Sequence, residues 1–261
     1  MGHVRLGRLP KTRAWGQVVD LLETDVDNIP EVSRATLKAA QAQLQRLGAD
    51  PVIGYCFWLL TRVTWFARDE DFATRLAEIG VNPETASSAF TFISQLTDHA
   101  RSKAAEHPES GVFAEIASLS VRQALAQTVA EHSRTLFGTS LEDIRRACRV
   151  YSSRNQFGVL AKHFFAHFLS RSLQYFLNKE LSNHIGPEHA LNDIQSAKEF
   201  NDALIAYSRQ SAKIVEDFAG GWYSKHNWES RGEITEQDAQ RFVAMALRKL
   251  LMELQREENL A

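Results

Sequence analysis

The sequence predicts an all-α protein. Three observations carry this. Apolar residues recur at spacings of three and four, helix caps and breakers fall at regular intervals, and no stretch alternates with a period of two between hairpin turns. About ten helices follow, in one compact bundle-like body with a short basic arm at residues 1–12. Residues 13–261 read as a single helical domain, with a possible sub-boundary near Gly138.

The elements follow in order. Lys11 or Thr12 opens a helix through Trp15, Val18, Val19 and Leu22. Pro30 opens a second, ending at Gly48. Asp50-Pro51 pairs an N-cap with a proline at the first helical position, starting a helix through Ile53, Phe57, Leu60 and Phe66. A short helix from about Asp69 ends at Gly80. Asn82-Pro83-Glu84 repeats the cap-and-proline pattern, and its helix runs to His107-Pro108. Ser110 starts another, ending near Gly138. Ser140 and Asp143 make a capping-box pair for the next. A long segment spans Ser153 to Gly186. Another follows Pro187 and stops at Gly220-Gly221. Thr235 and Asp238 cap the last helix, whose Phe242, Val243, Ala246, Leu247, Leu250, Leu251 and Leu254 share one face.

Composition excludes several classes. Of 261 residues, 44% are hydrophobic and 24% charged, which excludes a disordered chain. Lys and Arg number 30 against 32 Asp and Glu, for a net charge of -2, so bulk charge cannot hold the chain to nucleic acid and any such binding needs a local patch. The two cysteines, Cys56 and Cys148, are far apart and form neither a disulfide framework nor a zinc spacing. The most apolar run, Val52–Leu60, meets Arg62 well before the roughly 20 residues a membrane span needs. With no apolar signal-peptide core after Met1, a cytoplasmic protein without membrane contact is expected.

Two segments carry basic clusters. No acidic residue occurs from Met1 to Val19, while Arg5, Arg8, Lys11 and Arg13 are basic and Asp20, Glu23, Asp25, Asp27 and Glu31 follow. Such an arm either folds back on its acidic neighbour or reaches a phosphate backbone or an acidic partner. No Asp or Glu occurs from Ile144 to Lys179, where Arg145, Arg146, Arg149 and Arg154 cluster. Forked guanidinium groups suit phosphate oxygens. The aromatics of this segment, Phe157, Phe164, Phe165, Phe168, Tyr175 and Phe176, have the spacing of a buried stripe.

A third candidate is the run Ala219-Gly220-Gly221-Trp222-Tyr223-Ser224-Lys225-His226-Asn227-Trp228, read as a loop after a helix that the glycines end. Trp222, Tyr223, Lys225 and Trp228 are its partner-binding candidates, against the alternative that the rings cover the core.

Catalytic signals are sparse. His163 and His167, four apart on a helix, are the metal candidates, but Phe164 stands where a metalloprotease helix carries Glu, and no third ligand is near. No cofactor is expected. Arg101 to His107 reads R-x5-H, a spacing similar to that of the all-α HEPN ribonucleases; this resemblance covers only seven residues. The leading functional expectation is a non-enzymatic subunit or adaptor that docks a protein partner through the arm and the aromatic run. The alternative is a DNA- or RNA-binding protein using the arm and the Arg145–Arg154 surface. A metal-dependent or HEPN-like nuclease is the third reading.

Overall fold

The computed structural model describes residues 13–83, 86, 88–132, 140–181, 184–186, 189 and 191–256. Among these residues the chain is all-α, in a compact body without a strand. Its helices are α1 (Arg13–Thr24), α2 (Ile29–Ala39), α3 (Gln41–Leu47), α4 (Pro51–Phe66), α5 (Phe72–Glu78), α6 (Ala89–Ala105), α7 (Gly111–Gln127), α8 (Val129–His132), α9 (Leu141–Val150), α10 (Arg154–Leu181), α11 (Ile194–Ser211), α12 (Lys213–Glu229) and α13 (Glu236–Arg256). The arm at 1–12 and the possible boundary near Gly138 lie outside the described residues.

Several starts are where the sequence places them. Asp50 accepts the amides of Val52 and Ile53 at the head of α4. Ser140 and Asp143 close a capping box on α9. Thr235 and Asp238 bond each other's backbone amides ahead of α13. Other boundaries differ. Helix α6 starts at Ala89, where Ser88 accepts the amide of Thr91, not at Pro83. The expected helix from Pro30 to Gly48 divides at Ala40 into α2 and α3. The segment after Pro187 divides at Ala212 into α11 and α12.

The largest correction concerns Gly220-Gly221. These glycines end nothing: α12 runs through them from Lys213 to Glu229, so the expected aromatic loop is helix. Their use is tertiary. A Cβ on Gly220 would collide with the carbonyl oxygen of Arg154, and one on Gly158 with that of Glu216. The two glycines therefore let the backbones of α10 and α12 approach at two points of one crossing.

The centre of the body is α4, buried on nearly every side and packed against α13, α7 and α6. A helix apolar all round belongs in a core, and this one is too short to span a membrane. No described helix is long and apolar enough to cross one. Phe57 stacks on Phe242 at 4.8 Å and touches Phe157, Phe164, Phe165 and Trp222. The aromatic stripe of the acid-free segment is core, as its spacing predicts: Phe157, Phe164, Phe165, Phe168 and Phe176 are buried.

Candidate functional site

Three arginines and two tryptophans from distant parts of the sequence line one surface cleft of about 540 Å³. Trp65 and Arg68 come from the C-terminal end of α4 and the turn after it. Ser152 and Arg154 come from the turn into α10. Tyr223, Ser224, Asn227 and Trp228 come from the last turns of α12, and Arg231 lies just beyond. Ser224, Asn227 and Trp228 are three and one apart, so the last turns of α12 present them on one stripe, and Arg231 joins the lining from the turn beyond the helix.

The turn after α12 is held from beneath by α4. Trp58 Nε1 donates to the carbonyl of Ile234 at 2.8 Å. The buried Arg62 donates through Nη1 to the carbonyl of Gly232, and its other nitrogen pairs with Glu233 at 3.4 Å. Gly232 has φ of 89° and lies against the Trp65 indole, where no Cβ fits. Arg231 is the only non-glycine among the described residues with positive φ, at 54°. That conformation costs an L-residue roughly 1–2 kcal/mol. Strain of this kind collects at functional positions. The residue in this conformation, Arg231, lines the cleft.

The charges of the cleft are unbalanced. The Arg68 guanidinium lies 4.4 Å from the centre of the Trp65 ring. None of Arg68, Arg154 and Arg231 pairs with a carboxylate among the described residues, and no acidic side chain lines the cleft. Asn227 is only 4% exposed; its Nδ2 donates to the Tyr223 carbonyl at 2.9 Å, while its Oδ1 has no hydrogen-bond partner. The Tyr223 hydroxyl meets Thr64 Oγ1 at 3.1 Å, and burial pushes its pKa up, so it stays a neutral hydroxyl. A site with unpaired cations, one exposed ring in Trp228 and no carboxylate suits an anion attached to a flat ring system.

The structure divides the residues singled out in the sequence. Arg154, Tyr223 and Trp228 reach this cleft. Arg145 and Arg146 do not: both bind Glu142, and Arg145 also donates to the carbonyls of Ala67 and Asp69. The bonds from these two arginines hold the Glu142 carboxyl below the usual carboxylate range. Arg149 is exposed on the last turn of α9, away from the lining. Arg13 opens α1 and is not part of the site, while Arg5, Arg8 and Lys11 lie outside the described residues. Lys225 is exposed and faces Glu229 at 3.8 Å. Trp222 points to the opposite side of α12, into the core, 4.5 Å from Phe242. Trp65, Arg68, Asn227 and Arg231 escape sequence reasoning; the one local signal is the Arg231-Gly232 pair, which suits a helix-ending turn.

The two tryptophans of α12 are therefore expected to separate. Trp222→Ala should lower stability by about 3 kcal/mol, since it empties a ring-lined space. Trp228 is 87% exposed, and Trp228→Ala should change stability by less than about 0.5 kcal/mol. Denaturant melts of both variants check this.

The remaining chemical candidates form no site with one another, and the buried His163 Nδ1 has no hydrogen-bond partner. His167 is 7% exposed and its Nε2 meets Gln127 Oε1 at 2.9 Å. Burial lowers the pKa of both His167 and His163. Among the described residues no group of three His, Cys, Asp or Glu stands where it would hold a metal ion. Arg101 is gripped by Glu115 at 2.6 Å and by Asp98, and His107 Nδ1 meets Glu109 at 3.0 Å, so the two residues of the R-x5-H spacing face separate carboxylates.

Comparison with protein-family models, with curated proteins and with solved structures finds no match to this chain.

Proposed function

We propose that this protein is a binding module for single-stranded nucleic acid, working through the arginine and tryptophan cleft without transforming its ligand. The observation that carries the reading is the joint presence of Arg68, Arg154 and Arg231, unpaired, beside Trp65 and Trp228 in a cleft without a carboxylate. Guanidinium groups bind phosphate oxygens in forked pairs, and an exposed indole, here that of Trp228, stacks on bases of any sequence, while Trp65 is half-buried and carries Arg68 on its face. With a net charge of -2 the whole chain offers no attraction, so affinity must come from this local patch.

Titration of labelled single-stranded DNA and RNA, followed by anisotropy over a range of salt, tests the reading. Each phosphate charge neutralised on a single strand contributes about 0.7 to the slope of log affinity against log salt, so two to three charges met by these arginines predict a slope of about -1.4 to -2. Arg154→Ala should lower affinity for all sequences and flatten the slope by about 0.7. Trp228→Ala should cost about 1–3 kcal/mol of binding with little change in slope. Deletion of residues 2–12 measures the share of Arg5, Arg8 and Lys11 separately. Absence of binding at low salt would overturn the reading.

One observation favours a second reading, a helical adaptor in a larger assembly: Trp228 has the exposure of a protein hot spot. In that case Trp228→Ala abolishes capture of a protein partner, and the intact chain binds no oligonucleotide.

A further inference from the structure

Resting on the strand-binding reading, we infer that the cleft receives the end of a strand: a terminal phosphate monoester with its neighbouring base, in preference to an interior phosphodiester. The argument is one of charge and shape. Arg68, Arg154 and Arg231 bring three positive charges to the lining. Helix ends modify that sum. The C-termini of α4 and α12 both reach the cleft, each counting for about half a negative charge, and the N-terminus of α10 adds about half a positive one. The lining itself is left with a net charge of about +2.5, with the exposed Asp69, Glu70 and Asp71 following Arg68 outside it. The nearest carboxylates on the α12 side are engaged elsewhere: Glu229 faces Lys225, and Glu233 pairs with Arg62 and Arg75.

An interior diester carries one negative charge and would leave more than half of this excess unmet. A monoester carries about -1.5 to -2 near neutral pH and has three oxygens to accept the guanidinium donors. The shape agrees. About 540 Å³ is the size of a small-ligand cavity, not of a groove that tracks many nucleotides. Trp228, 87% exposed at the rim, is placed for the base beside that phosphate. Arg231 adds a third positive charge to a lining in which one diester would need only one.

The test compares one labelled single-stranded oligonucleotide in four forms at constant salt: with a 5′-phosphate, with a 3′-phosphate, with hydroxyls at both ends, and closed into a circle. At least one phosphorylated form should bind about tenfold or more tighter than the hydroxyl form, as expected for added charge-assisted bonds. The circle should bind no better than the hydroxyl form. Free adenosine monophosphate should compete with the phosphorylated strand, and inorganic phosphate more weakly, since it lacks the ring. Arg231→Ala and Arg68→Ala should each shrink the ratio of phosphorylated to hydroxyl affinity. Equal affinity of the wild-type protein for all four forms would overturn the end preference and leave strand binding standing. Failure of every form to bind would remove strand binding as well. The decisive comparison uses the unaltered protein, so it does not depend on the folding of a variant.

Discussion

Gly220→Ala and Gly158→Ala are each expected to destabilise the fold by about 3 kcal/mol, against the usual direction for such a change. In an ordinary helix interior alanine is better than glycine by about 1 kcal/mol. At these positions the added carbon meets a backbone carbonyl on the facing helix, Arg154 or Glu216, and backbone cannot swing aside as a side chain can. Helices α10 and α12 must then move apart, which disturbs the stack of Phe157 on Tyr223 at 3.8 Å. The neighbouring Gly221 supplies the control. Its nearest foreign atom would be an Arg154 guanidinium nitrogen at 3.8 Å, an ordinary contact. Gly221→Ala should therefore be neutral or stabilising by up to about 1 kcal/mol. Urea melts of the three variants decide the matter: equal behaviour of Gly220→Ala and Gly221→Ala would show that the close crossing does not matter.

The second large effect is on acid stability. Burial, followed by Arg209, His163 and Arg171, lowers the pKa of His167 to about 4, against 6.5 for a free imidazole. The unfolded chain therefore binds a proton at this residue more readily than the folded one. Stability is full above about pH 6.5 and is lost as pH falls toward about 4. Between about pH 7 and about pH 5 this residue alone accounts for about 2 kcal/mol. His163 and His99, both lowered mainly by burial, act in the same direction. The carboxylates with lowered pKa, such as Glu142 and Asp238, respond only at lower pH, so the upper window belongs to histidine. In His167→Gln the loss between these pH values should be smaller by about 2 kcal/mol. An unchanged pH profile would show that His167 does not carry the effect.

The legible part of the fold was its punctuation. Asp50-Pro51, Ser140 with Asp143, and Thr235 with Asp238 act within a single turn, so their meaning is contained in adjacent residues. Gly220-Gly221 misleads for the opposite reason. A glycine that admits a neighbouring backbone looks in the sequence like one that ends a helix, and only the facing Arg154 distinguishes them. The same rule divides the site. Tyr223 and Trp228 stand out locally as large rings, and Arg154 as part of a basic cluster. Reading the run as a loop, however, put Trp222 and Lys225 beside them. On a helix Trp222 turns into the core and Lys225 out toward Glu229. Arg68 and Trp65 could not be found this way, because their relation to Arg231 is made by the fold.

That relation has a thermodynamic consequence. Arg62 and the Gly232 carbonyl it holds are 170 residues apart, and the cleft above them draws its walls from both sides of residue 138. Neither half of the chain carries the whole cleft. Occupancy and folding are then linked quantities: a ligand at a hundred times its dissociation constant would raise the unfolding free energy by about 2.7 kcal/mol. The cleft thus reports on the integrity of the entire chain, and a lesion far from it, at the α10–α12 crossing or under α4, would register as weakened binding before the molecule unfolds.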